Sequence, residues 1–227
     1  FGTVRSSKAK NLLPIDLQNN LVSAIDVLDI KSIDSLVKKI KPEILINCVG
    51  VIKQSTEVSN HIATITINSL LPHKLAMLAK KYKFRLVHIS TDCVFSGNKG
   101  NYIESDFPDA QDLYGRSKLL GEIDDNKNIT LRTSMIGHEL DSSRSLINWF
   151  LNQNDQIKGY RNAIFSGLPA VEIASVIRDF VIPNNRLSGL YHLAADPINK
   201  YELLKLVSER YKKSIEIIPD NTIIIDI

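Results

Sequence analysis

A tyrosine and a lysine four residues apart are the residues best suited to chemistry. Tyr114 and Lys118 fall in a stretch with a helical pattern, and positions four apart on a helix share a face. A nearby ammonium group favours the phenolate and lowers the pKa of a tyrosine from its usual value of about 10. Such a phenol can exchange a proton near neutral pH. Because Tyr201 and Lys205 repeat the spacing, packing of the ring on the lysine stem stays an alternative, and it is preferred for Tyr201.

Two strand ends give the tyrosine a setting in which such a proton is useful. The apolar run 86–89 ends in Ser90, Thr91 and Asp92, and ligands of open α/β sheets bind beyond the carboxyl ends of the strands. Gly50 ends another apolar run, and its missing side chain lets a flat ligand approach the backbone. Ordinary turn and N-cap roles are the alternatives for these residues.

The alternation of short apolar runs with longer helical stretches predicts a doubly wound parallel sheet flanked by helices. Strands are predicted at 24–28, 44–49, 85–90, 129–133 and 190–193, and helices at 31–40, 59–82, 114–124, 146–152, 171–181 and 200–211. Pro72 is expected to kink or divide the second helix. The turn-rich stretch 96–113 predicts a long loop with a functional role.

Composition excludes several classes of protein. With 44% hydrophobic and 23% charged residues, the 227-residue chain can bury a core, which excludes disorder as its main state. Lys and Arg number 28 against 25 Asp and Glu, so the sequence lacks the basic footprint of a nucleic-acid-binding protein. Its apolar runs are shorter than the ~20 residues of a membrane span. Cys48 and Cys93 cannot form a zinc site or a disulfide framework alone, so we expect no metal and a cytoplasmic location.

Together these segments resemble the extended short-chain dehydrogenase/reductases, and within them the dTDP-4-dehydrorhamnose reductase-like branch. The matching segments are 47–51, 67–69 with Pro72, 87–97, 114–122, 131–134 and 189–194. The resemblance implies a Rossmann-like fold, a nucleotide-sugar substrate and NADP as the cofactor, with NAD as an alternative. It implies no nucleic-acid or membrane partner, and a homodimer is among the expectations.

The resemblance also implies a role for each matching residue. Tyr114 would donate a proton to a ketone oxygen, Lys118 would hold the nicotinamide ribose, and the Thr91 hydroxyl would hydrogen-bond the reacting carbonyl. The other implied cofactor-binding residues are Arg5, Asp29, Val49, Gly50, Val51, Asn68 and Ser90, and the implied substrate-binding residues are Asp92, Val94, Phe95, Thr133 and Ser134.

The two ends of the cofactor leave different signals in the sequence. Arg5 stands where an acidic residue would bind the ribose of NAD, so a cation there favours the 2′-phosphate of NADP, and a solvated surface charge is the alternative. Asp29 would contact adenine or cap a helix. The sequence contains no G-x-G-x-x-G-like element to cradle the pyrophosphate. We therefore expect that the sequence is truncated at both ends, lacks the first strand with its glycine-rich loop, and binds the cofactor poorly as it stands.

These observations predict one compact unit with two regions. Residues 1–133 would form an NAD(P)-binding Rossmann-like region, and residues 134–227 a mainly substrate-binding lobe interleaved with it. The expected function is NAD(P)H-dependent reduction of a 4-keto-6-deoxy nucleotide sugar in surface polysaccharide biosynthesis. An epimerase or dehydratase of the same fold and a non-catalytic, nucleotide-binding regulatory subunit are the alternatives.

Overall fold

A computed structural model describes residues 1–53, 60–141 and 143–226. The strands are β1 (Gly2–Thr3), β2 (Leu21–Val22), β3 (Ile44–Asn47), β4 (Arg85–Ile89), β5 (Ile129–Arg132), β6 (Met135–Ile136), β7 (Ile157–Tyr160), β8 (Ala163–Phe165), β9 (Leu168–Pro169), β10 (Gly189–His192), β11 (Ile198–Asn199), β12 (Ile217–Asp220) and β13 (Ile225–Asp226). The α-helices are α1 (Ser7–Asn11), α2 (Ile15–Gln18), α3 (Ile30–Ile40), α4 (His61–Ile65), α5 (Leu71–Tyr82), α6 (Leu113–Leu119), α7 (Leu146–Leu151), α8 (Ala170–Val176) and α9 (Lys200–Tyr211).

Four parallel strands in the order β10-β5-β4-β3 form the central sheet. Strand β4 is buried at every residue, because helices cover both faces of the sheet. Leu86 points to the face covered by α3 and α5. Its neighbour Val87 points to the opposite face, where it packs with Ile173 of α8. The α/β fold with a parallel sheet, expected from the alternation of elements, is confirmed.

Strands β1 and β2 form a separate parallel pair. The predicted strand at 24–28 is wrong, since β2 lies at Leu21–Val22 and Ala24 adopts a left-handed conformation with φ of 61°. A residue in that region of the backbone interrupts an extended chain. The chain then turns into α3, which begins after Asp29 as its N-cap.

The helical stretch from His61 to Tyr82 accommodates a proline without dividing. A wide π-helical turn at Thr66–Leu70 precedes α5, and Pro72 occupies the first turn of α5, where a missing N–H is tolerated. The stretch thus stays helical throughout, and the irregularity expected at Pro72 takes the form of the π-helical turn directly before it. The predicted start of this helix, Ser59, lies outside the described residues.

The same 22-residue stretch is long and apolar enough to cross a membrane by length and composition alone. One face of it, including Leu71, Leu75 and Ala79, packs in the core against the sheet and α3. Its apolar composition is thus explained by its place in the α/β core.

A close backbone contact joins this stretch to the turn after α6. Pro72 has no N–H to offer the Asn68 carbonyl four residues earlier, and that carbonyl faces Gly121 instead. A Cβ atom at Gly121 would lie 1.9 Å from the carbonyl oxygen of Asn68. Only glycine therefore permits this approach.

The second half of the chain contributes one strand to the central sheet and forms several smaller sheets. Its strand β10 pairs with β5, so both halves of the chain contribute strands to the central sheet. The remaining strands form smaller sheets, with β8 between β11 and β13, β7 paired to β12, and β6 paired to β9. Among them β6, β7 and β12 pack with α7 and α9 around a second core that includes Phe150 and Leu204. The division at residue 133 into a cofactor-binding region and a substrate-binding lobe stays a prediction.

A buried arginine links the two halves as well. Arg85, at the start of β4, is 7% exposed, and its guanidinium donates to the carbonyls of Val181 and Leu187. Because Val181 ends the turn that follows α8, this side chain caps carbonyl groups that the helix leaves without partners.

Gly121→Ala is expected to lower the free energy of unfolding by about 3 kcal/mol, the upper part of the usual range for overpacking. The added methyl would collide with a backbone carbonyl that cannot rotate away. Gly137→Ala is the matched control, because its Cβ would lie at an ordinary 3.5 Å from the Cβ of Ala170. Urea denaturation measures both changes, and parental stability in Gly121→Ala would contradict the contact.

Candidate active site

The end of β4 fixes a hydroxyl group at the edge of the sheet. Thr91 is the N-cap of a short 3-10 turn, and its Oγ1 accepts a hydrogen bond from the Cys93 N–H at 3.1 Å. The same hydroxyl donates to Asp92 Oδ1 at 3.1 Å. Thr91 is only 5% exposed, so these contacts fix the position of its hydroxyl oxygen.

Helix α6 brings the predicted tyrosine to this hydroxyl. Asp112 caps the helix by accepting from the Gly115 N–H at 2.8 Å. A Cβ at Gly115 would lie 2.3 Å from the carbonyl oxygen of Cys93, so glycine lets the helix lie against the turn after β4. As a result the Tyr114 phenol lies near the Thr91 side chain, which influences its pKa. The structure therefore brings these two predicted residues together.

The pKa of Tyr114 shifts in the direction opposite to the one expected. Burial is the largest cause and raises the pKa to about 12, while the hydrogen bond with Thr91 opposes the rise. The expected net lowering of this pKa by Lys118 is wrong for this structure, because burial of the phenol outweighs the interactions that favour the phenolate. Tyr114 thus holds its proton at neutral pH.

Lys118 is buried in a polar layer between α6 and the sheet. Burial lowers its pKa to about 8, and the Glu122 carboxylate opposes that shift. Glu122 is itself fixed by two hydrogen bonds from Arg132, at 2.9 and 2.8 Å, and by one from the Ser90 hydroxyl at 2.7 Å. An ammonium has three N–H donors. Within the part of the chain that the structure describes, only the Ile89 carbonyl accepts from Lys118.

The turn after β3 lies next to this ammonium group. The Asn68 side chain makes two hydrogen bonds to the backbone of Val51: its Oδ1 accepts from the Val51 N–H at 2.8 Å, and its Nδ2 donates to the Val51 carbonyl at 3.0 Å. The same Nδ2 also donates to the Ser117 hydroxyl. A Cβ at Gly50 would lie 3.9 Å from Lys118 Nζ. The glycine backbone and the ammonium group are therefore brought together, with Asn68 as the residue that positions the turn.

The residues predicted for a cofactor fit one end of a nicotinamide dinucleotide better than the other. Lys118 has unused donors beside Gly50, which suits the hydroxyl groups of a ribose. Asp29 acts as a helix cap, accepting from the Lys31 N–H at 3.0 Å, which is the alternative that its sequence allowed. Arg5 is an exposed residue in the turn after β1. Cofactor contacts by Arg5, Asp29 and the remaining predicted residues, which include Val49 and Ser90, stay predictions.

A cavity of about 190 Å³ lies beside Asp92. Its lining residues are Asp92, Phe95, Asn101, Tyr102, Arg132, Thr133, Ser134, Ser166, His192, Leu193, Ala194, Ala195, Pro197 and Asp226. The lining includes all the predicted substrate-binding residues except Val94. Val94 is 0% exposed and belongs to the core, so its predicted contact with substrate is corrected.

Several cavity residues were missed in the sequence. Arg132 and His192 end β5 and β10, so the strand-end rule that singled out Ser90 also applies to them. The Arg132 guanidinium lies 3.3 Å from His192 Nε2 and 5.1 Å from the centre of the Phe95 ring. No sequence pattern indicated that Asp226 would line this cavity, because it belongs to a two-residue strand far from the other lining residues in the sequence.

The residues that the structure describes contain no candidate metal site. No group of three or more His, Cys, Asp or Glu residues among them is arranged to hold a metal ion. Burial raises the pKa of the Cys48 thiol, and it raises that of Cys93 to about 11, so both stay protonated near neutral pH.

Comparison with known proteins agrees with this architecture. The chain is 27% identical over 191 residues to dTDP-4-dehydrorhamnose reductase of Aggregatibacter actinomycetemcomitans, covering 77% of this chain and 63% of that protein. It is 30% identical over 98 residues to methionine adenosyltransferase 2 subunit beta of Rattus norvegicus, covering 43% of this chain and 29% of that protein. The match thus spans less than two thirds of the length of either relative.

Solved structures share the fold. The crystal structure of dTDP-4-dehydrorhamnose reductase from Bacillus anthracis in complex with NADP superimposes with a TM-score of 0.76 at 20% identity, covering 97% of this chain and 83% of that one. The sequence model of the family described as RmlD substrate binding domain matches residues 5–222. The resemblance found in the sequence is confirmed, and the chain belongs to the RmlD substrate binding domain family.

Proposed function

We propose that the protein is an NADPH-dependent reductase that converts the ketone of a 4-keto-6-deoxy nucleotide sugar to an alcohol. The observation that carries the proposal is the convergence of the Thr91 hydroxyl and the Tyr114 phenol on one spot. Lys118 lies next to Gly50, and a cavity lies beside Asp92, the residue after Thr91. The relative from Aggregatibacter, whose name denotes a sugar reductase, supports the same reading.

The protein groups suit reduction of a carbonyl. NADPH, when bound, supplies the hydride. The carbonyl oxygen gains negative charge in that step, and Tyr114 can transfer its proton there because its raised pKa keeps the phenol protonated at neutral pH. The Thr91 hydroxyl can turn from Asp92 and donate to the same oxygen, which stabilises the developing charge.

The cofactor would be held by groups along the end of β3. The unused donors of Lys118 would bind the nicotinamide ribose, and the backbone around Gly50 and Val51 would lie against the ring. Arg5 would favour the 2′-phosphate of NADP over NAD. The similar reductase structure from Bacillus anthracis is a complex with NADP. A role in surface polysaccharide biosynthesis in the cytoplasm belongs to the same proposal.

A nucleotide-binding regulatory subunit is the second candidate, favoured by the similarity to methionine adenosyltransferase 2 subunit beta. The presence of Thr91, Tyr114 and Lys118 together favours the reductase. An epimerase or dehydratase is separated from both by stoichiometry. A reductase oxidises one NADPH for each product molecule. An epimerase or dehydratase forms product with no net change in the amount of reduced cofactor, and a regulatory subunit forms no product.

Tyr114→Phe in the full-length protein is expected to lower kcat by about 10²- to 10⁴-fold, the usual contribution of a positioned proton donor. The affinity for NADPH should stay within about twofold, since only the phenol proton is lost. Tyr201→Phe is the matched control, because Tyr201 also lies four residues before a lysine but outside the site. NADPH oxidation followed by absorbance measures both, and unchanged turnover in Tyr114→Phe would refute the assignment.

The affinity for NADPH is expected to fall as the pH rises through about 8, the lowered pKa of Lys118. Below that pH the side chain is an ammonium that binds the ribose, and above it the charge and one donor are lost. Lys118→Met should weaken NADPH binding and remove this pH dependence. Fluorescence titrations on either side of that pH measure it, and an equal pH profile in both proteins would contradict the role of Lys118.

A further inference from the structure

The cavity beside the site is the size of one ring. A cavity of ~150 Å³ holds a benzene molecule, and pockets for drug-sized ligands begin near ~300 Å³. At about 190 Å³ this cavity suits one six-membered ring with its substituents, and a whole nucleotide sugar exceeds it. Whichever part of the substrate enters is therefore selected by the chemistry of the walls.

The charges on the walls disfavour a phosphate group. The only cation of the lining is Arg132, and each of its three nitrogen atoms faces a partner, namely Glu122 twice and His192 once. Burial lowers the pKa of His192, so its imidazole is neutral near pH 7. Two carboxylates, Asp92 and Asp226, also face the cavity. A neutral ring rich in hydroxyl groups fits these walls, whereas a diphosphate would be repelled.

Asp226 reaches the cavity through a specific packing arrangement. It belongs to β13, which pairs with β8, and its N–H donates to the carbonyl of Gly97 at 2.9 Å. Its carboxylate lies against Gly100, where a Cβ would come 2.4 Å from Oδ2. Gly100 and Asn101 both have left-handed backbones, with φ of 71° and 48°. The turn in the loop therefore fits closely around the Asp226 carboxylate.

Asp226 and Asn101 line the cavity with polar side chains that have no hydrogen-bond partner among the described residues. Neither the carboxylate of Asp226 nor the amide of Asn101 makes a hydrogen bond to any residue that the structure describes. By contrast, the Asp92 carboxylate accepts from Thr91. Polar groups that face a ligand cavity without internal partners are free to bind the ligand.

We propose that Asp226 is a specificity-determining residue that contacts the substrate. Its carboxylate accepts hydrogen bonds from hydroxyl groups of the sugar ring in this cavity, with the Asn101 amide beside it, and the nucleoside diphosphate lies outside. Asp226 lies beyond the segment 5–222 that the family model matches. The assignment rests on the proposed function, since it takes the sugar of a nucleotide sugar as the ligand.

Asp226→Asn tests the contact, because it keeps the size of the side chain and removes the charge and one acceptor oxygen. In the full-length protein we expect KM for a dTDP-linked 4-keto-6-deoxy sugar to rise at least tenfold, with kcat and NADPH affinity within about twofold. The affinity for dTDP alone should not change, since the nucleotide lies outside the cavity. Asp155→Asn, an exposed carboxylate away from the cavity, is the control.

Gly100→Ala gives an independent test of the same wall. Its methyl group would displace the Asp226 carboxylate, so KM should rise in this variant too. Folding of the Gly100→Ala protein is checked by its NADPH affinity and its melting temperature, compared with those of the Asp226→Ala protein. The double variant Gly100→Ala with Asp226→Ala should raise KM no further than Asp226→Ala alone, because both changes remove one contact.

The outcomes separate this proposal from the proposed function. Turnover by the parent protein with an unchanged KM in Asp226→Asn overturns the role of Asp226 and leaves the reductase intact. If the parent protein binds the nucleotide sugar without turnover, calorimetry replaces KM with Kd, and an equal Kd in Asp226→Asn again overturns it. A parent protein that binds no nucleotide sugar overturns both.

Discussion

The close seating of α6 against the sheet is the constraint on which the rest of the site depends. Two glycines permit it, Gly115 against the Cys93 carbonyl and Gly121 against the Asn68 carbonyl. At this distance the helix delivers Tyr114 and Lys118 to the ends of β4 and β3 rather than to solvent. A methyl group at either glycine would push the helix outward and separate the phenol from the Thr91 hydroxyl.

Burial at this depth obliges the charges to form a network. An ammonium taken out of water loses hydration energy, and the Glu122 carboxylate close by offsets part of that loss for Lys118. Glu122 in turn is matched by Arg132, whose side chain is 5% exposed. The network therefore joins Lys118 to the cavity through side chains whose positions are mutually fixed, so these groups are organised before any ligand arrives.

Local sequence patterns predicted the central sheet, its helices and the meeting of Thr91 with Tyr114, because apolar periodicity and strand ends are local signals. They could not predict the pKa of Tyr114, since burial by distant segments outweighs the helical neighbour. They also missed Asp226, because its position at the cavity is set by the pairing of its two-residue strand with β8, which is distant in the sequence. Pro72 correctly marked an irregularity in its helix, but the sequence could not show that it would be a π-helical turn and not a break.

The position of β10 in the sheet has a consequence during synthesis of the chain. Strand β5 pairs with β10 only after residues 189–192 leave the ribosome, and Arg85 gains its carbonyl partners from Val181 and Leu187 at the same stage. Until then a nascent chain exposes the unpaired edge of β5, and an unpaired strand edge favours aggregation. Completion of the sheet is thus a late, cooperative event that couples the first half of the molecule to the second.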